Sequence, residues 1–134
     1  MTHIASILLA ALLLMPDAKA QTFMTGDEVA KALIGNTAQG SMTTPSGTTT
    51  EYTVFATPDG KMRMRQVTKS LSQNITTTGQ WQVHGGQFCY HMQRDIMWNC
   101  YKFQRLGEDR IAMSDGISPA RIELVVRKGN VAKL

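Results

Sequence analysis

Apolar residues fall along this chain in two patterns. From Ile4 to Met15 they are nearly continuous, whereas after Thr25 they come in short runs alternating with polar residues. The first run is followed by Pro16 and then Ala18-Lys19-Ala20, which places small residues where a signal peptidase needs them. A core helix would instead carry polar residues at helical spacing. The run is too short for a bilayer-spanning helix, which takes about 20 apolar residues, and no later run is longer. Residues 1–20 therefore read as a cleaved export signal and residues 21–134 as a single β domain, periplasmic or secreted. No cysteine follows the cleavage point, so no lipid anchor is expected.

The domain opens on one helix signal. Thr25-Gly26-Asp27-Glu28 has capping-box spacing, Met24 and Val29 fit a hydrophobic staple, and Gly35 can supply a left-handed cap. This predicts a short helix over Gly26–Ile34. Beyond it, runs rich in Thr, Val, Tyr, Phe and Trp are broken by Gly, Pro, Asp and Asn, as in an antiparallel series. Strands are expected over Thr37–Met42, Tyr52–Ala56, Lys61–Lys69, Gly79–Val83, Phe88–Met92, Met97–Arg105, Arg110–Ser114 and Arg121–Arg127. Ser41–Thr50 reads as a loop. The fold class is mainly β: an antiparallel barrel or strongly curved sheet of about eight strands, with the helix across an open end.

The turns set a register. With Gly85-Gly86 as a hairpin loop, Val83 opposes Phe88 and Trp81 opposes Tyr90. Placing Cys89 opposite Cys100 puts a tip at Gln93–Ile96, and then Met92 opposes Met97, Tyr90 opposes Asn99 and Phe88 opposes Tyr101. One face thus collects Trp81, Val83, Phe88, Tyr90, Met92, Met97, Tyr101 and Phe103 as the core. The two cysteines face each other on the opposite side, where an oxidising compartment should join them.

Composition narrows the function. With 134 residues, 43% of them hydrophobic and 18% charged, there is room for one small globular domain. The net charge of +4 survives loss of the signal, which removes Asp17 and Lys19 together. That excess is too mild to make nucleic acid the expected partner. No Gly-x-Ser-x-Gly, His-Glu-x-x-His or Cys-x-x-Cys occurs, and Glu108 and Asp109 are adjacent in a turn, poorly placed as an acid/base pair. The chain therefore reads as non-catalytic. The stripe Lys61, Arg63, Arg65 and Lys69 is the candidate anion-binding surface, with a solvated outer face as the simpler account. Methionine recurs at Met24, Met42, Met62, Met64, Met92, Met97 and Met113. Thioether and imidazole groups suit Cu(I), so Met62, Met64 and His91 are candidate copper ligands. Burial of the methionines on one strand face is the plainer reading, with no cofactor.

Leu33-Ile34-Gly35-Asn36-Thr37, Tyr52 with Pro58-Asp59-Gly60, Gly79-Gln80-Trp81-Gln82-Val83, Phe88-Cys89, Cys100-Tyr101 and Lys128-Gly129-Asn130 together resemble a group of small exported proteobacterial proteins of unassigned function. The resemblance spans residues 25–130. It implies a secreted, disulfide-linked, lipocalin-like or related β fold, and it transfers no active site. A periplasmic or secreted binding or inhibitor protein acting on an envelope component or a partner protein is the expected function, presenting the Ser41–Thr50 loop or the Gln93–Ile96 tip. A Cu(I)-binding protein and a structural envelope protein are the alternatives. A monomer or weak dimer without a transmembrane segment is expected.

Overall fold

A computed structural model describes residues 22–115 and 121–134; the expected export signal lies outside them. Helix α1 spans Gly26–Leu33, and the capping box forms: Thr25 Oγ1 accepts from the Glu28 amide at 3.2 Å while Glu28 Oε2 accepts from the Thr25 amide at 3.1 Å. Gly35, at φ 74°, then takes the left-handed conformation that turns the chain into the sheet. Val29, Ala30 and Leu33 fall on one side of the helix and are all buried.

Nine strands follow: β1 Asn36–Thr43, β2 Thr49–Ala56, β3 Lys61–Thr68, β4 Gln73–His84, β5 Gln87–Met92, β6 Asn99–Cys100, β7 Lys102–Arg105, β8 Arg110–Ser114 and β9 Arg121–Lys128. They form one antiparallel sheet in the order β6-β5-β4-β3-β2-β1-β9-β8-β7. Its two edges, β6 and β7, are joined by Tyr101 alone. The same stretch of chain thus pairs with β5 at its start and with β8 at its end, and this closes the sheet nearly into a barrel. Where β7 has left β5, the N-terminal segment takes its place: the Met24 amide donates to the Phe103 carbonyl at 2.7 Å and Phe23 bridges Gln104. The helix follows directly and covers this end of the barrel, with the Gly26 amide bonded to the Gly86 carbonyl at 2.8 Å.

The hairpin register is as the turn chemistry requires. Val83 opposes Phe88 and Trp81 opposes Tyr90, with Gly85 and Gly86 at φ 57° and 76°. Cys89 opposes Cys100, the Cα atoms 4.2 Å apart and the sulfurs at disulfide distance, and Tyr90 opposes Asn99. Five expectations need correction. Pairing with β5 stops at Cys100, so Phe88 does not oppose Tyr101: closure makes the strand change partners. Met97 lies in a loop before β6 and is 73% exposed, so it neither opposes Met92 nor joins the core. The Ser/Thr segment is mostly strand, since Thr43 pairs with Thr49 and only 44–48 forms the loop. Lys69 belongs to a 3-10 turn, Lys69–Leu71, beyond the end of β3. β4 also runs further than its apolar residues reach, because Gln73–Thr78 pairs fully with β3.

Several motif residues prove to hold this end of the barrel together. Asn36 Nδ2 donates to the Ala32 carbonyl at 2.9 Å, and its Oδ1 accepts from the Gly129 amide at 3.2 Å. Thr37, fully buried, donates to the Gly129 carbonyl at 2.7 Å and accepts from the Val131 amide at 3.1 Å. Gly35-Asn36-Thr37 and Lys128-Gly129-Asn130 therefore meet as one structural joint. Gly79 permits a close approach: a Cβ there would sit 2.7 Å from Met92 Sδ and closer still to the His91 carbonyl. Trp81 is fixed by its indole N–H, which donates to the Thr57 carbonyl at 2.8 Å.

Candidate ligand cavity

Inward-facing residues of the barrel do not fill it. Val29, Leu33, Ala38, Phe88, Phe103, Ile111 and Leu124 pack solidly at the helix end. Ala56, Met62 and Met92 make a second buried group, with Val54 and Met64 against it. Between them runs a cavity of about 250 Å³ whose walls are largely aliphatic, thioether and aromatic, with Leu33 and Phe88 at its floor.

Polar groups gather at the other end. Tyr52 and Gln66, direct partners across β2 and β3, line the cavity near the end where those strands meet the loops away from the helix. Asn99, at the start of β6, and Asp95, in the loop between β5 and β6, complete the mouth. Asp95 is tightly held: Oδ2 accepts from the Met92 amide at 2.9 Å and from Asn99 Nδ2 at 2.7 Å. Tyr90 lines the wall beneath it and stacks on Tyr101 with ring centroids 5.8 Å apart.

Tyr52 and Tyr90 are held neutral. Burial, and then the neighbouring Tyr101, push the Tyr90 hydroxyl well above its ordinary value, and burial followed by Tyr101 raises Tyr52 in the same direction. A pKa raised in the folded state stabilises the fold below the unfolded value of 10.0 and is lost as pH rises above it. Stability should accordingly fall above about pH 10, with phenolate absorbance lagging that of the unfolded chain. Tyr90→Phe should remove most of that alkaline loss, and an unchanged pH profile in this variant would contradict the assignment.

The other sequence candidates are not brought together. Met62 and Met64 point into the cavity, whereas His91 lies on the outer surface with its ring 5.6 Å from that of Trp98. The three residues of the copper alternative thus sit on opposite sides of the sheet. Lys61, Arg63 and Arg65 do share the outer face of β3, with Lys61 and Arg63 bordering a shallow outer groove. Two of the four cations already have partners, Lys61 with Asp59 at 3.6 Å and Lys69 with Glu51 at 3.4 Å.

No family model, curated protein or solved structure matches the chain. Sequence reasoning passed over Tyr52, Gln66, Asp95 and Asn99. Gln66 left a readable signal: Met62, Met64 and Gln66 alternate on one strand face, so a polar residue stood at an inward position. Asp95 left none, because the loop that carries it has no periodicity. Among the described residues, no helix is long and apolar enough to cross a membrane.

Proposed function

We propose that this is an exported, non-catalytic binding protein of the bacterial envelope that carries a small, mainly apolar molecule inside its barrel. The observation that carries the reading is the interior cavity of about 250 Å³, apolar along its walls and polar only at its mouth. Eight-stranded barrels have room for one small ligand, and here β6 and β7 act as a single closing strand, giving eight positions round the circuit. The export signal, the cysteine pair and the resemblance to small exported proteobacterial proteins support the location. Docking of the β5–β6 loop to a protein partner is a second reading, favoured by the near-complete exposure of Ile96, at 97%, beside exposed Met97.

The fluorescent probe 1-N-phenylnaphthylamine tests the first reading. It should brighten on mixing with the protein and be displaced by octan-1-ol, and Val54→Trp, which fills the cavity wall, should weaken its binding at least about tenfold, some 1.4 kcal/mol. Undiminished binding by folded Val54→Trp, or no displacement by octan-1-ol, would overturn it.

A further inference from the structure

The cavity is chemically one-sided in a way that selects a ligand class. Of the residues lining it, Asp95 alone carries a charged side chain. Both of its hydrogen bonds fall on Oδ2, so the carboxylate is oriented by Met92 and Asn99 while Oδ1 accepts from no donor among the described residues. The three tyrosines of the chain gather at the same cavity: Tyr52 and Tyr90 in the lining, and Tyr101 stacked on Tyr90. A carboxylate backed by neutral aromatic rings attracts a cation twice over, by ion pairing and through the ring faces. An anionic head would meet the opposite. The basic stripe of β3 faces outward, so Lys61, Arg63 and Arg65 offer it no counter-ion inside.

We infer that the barrel takes an amphiphile with a positively charged ammonium head, its tail among the methionine and aromatic side chains and its head at the mouth beside Asp95, Tyr52 and Tyr90. The inference rests on the reading of the cavity as a binding site. At roughly 30 Å³ for each water-sized or methylene-sized group, 250 Å³ holds a medium-length chain of about eight carbons. Gln66 and Asn99 supply neutral hydrogen-bonding groups at the same level and leave the head's charge to Asp95.

Matched eight-carbon compounds separate the head from the tail. Octyltrimethylammonium, octan-1-ol and octanoate should each be titrated against the protein loaded with 1-N-phenylnaphthylamine, in low salt, where charge contributes most. Octyltrimethylammonium should displace the probe at least about tenfold more effectively than octanoate, with octan-1-ol between them. In Asp95→Asn the gap between the charged compounds should close while octan-1-ol is unaffected. Gln66→Lys keeps Asp95 and its hydrogen bonds and places a cation at the mouth, so it should shift the preference toward octanoate. If octanoate competes as well as octyltrimethylammonium while octan-1-ol still displaces the probe, the head-group assignment fails and the cavity reading stands. If the probe never binds, both fail together.

Discussion

Phe88→Ala is expected to destabilise the protein by about 3–5 kcal/mol, a large share of a small domain's stability. Phe88 is 1% exposed, stacks on Trp81 at 5.7 Å and meets Phe103 edge-on at 5.9 Å. It is also where three parts of the fold converge: the helix through Val29 and Leu33, the β4–β5 hairpin through Trp81, and the closing strand through Phe103. Removing the ring takes away their common contact surface and leaves a void that the stiff barrel wall can only partly fill. Because Phe88 lies at the cavity floor, the same change should enlarge the interior. Urea unfolding measures the first effect, and binding of a bulkier probe than the parent accepts measures the second. A loss under about 1 kcal/mol would mean that the helix is held to the barrel by other contacts.

Loss of the cysteine pair should rank next, at about 3 kcal/mol for a closed loop of this length, with the bond linking residues 11 apart. Its position makes the local effect larger than the global one. β6 pairs with β5 through only two residue pairs, and one of them is Cys89–Cys100 itself. Beyond that point the closing strand has left β5 altogether, so the bond pins the seam of the barrel where backbone pairing is thinnest. In Cys89→Ala/Cys100→Ala, amide exchange should rise first at Asn99, Tyr101 and Lys102 and through the loop that carries Asp95, while β1–β3 stay protected. Uniform loss of protection across all strands would contradict a seam held by this bond. Ligand affinity should fall in the same variant, since Asp95 and Asn99 are set by that loop.

Much of the local structure was legible because it depends on near neighbours in sequence. The capping box, the left-handed glycine after the helix, the Gly85-Gly86 hairpin and the Cys89–Cys100 register all follow from turn and cap chemistry acting over a few residues. The errors share a cause. Met97 resembles a core residue by alternation, yet it sits in a loop, because the strand that follows it begins only at Asn99 and must then turn from β5 to β8. Gln73–Thr78 of β4 carries few apolar residues to mark it as strand, because it lies beyond the end of β5, where β3 alone pairs with it. The motif residues Gly35-Asn36-Thr37 and Lys128-Gly129-Asn130 stood out in sequence, and they serve a joint between helix, first strand and last strand.

The cavity belongs to a different level of organisation. Which residues face inward could be read along the chain, because strand periodicity assigns each side chain to one face or the other. Whether those inward faces would meet and fill the space, or stand apart around a void, depended on the curvature of the whole sheet and on where its edges join. That β6 and β7 form one closing strand, that Met62 and His91 lie on opposite sides of the wall, and that Asp95 lines the same cavity as Tyr52 and Tyr90 follows only once the barrel is assembled. Those contacts join residues far apart in the chain, and local preference carries no information about them until the barrel has closed.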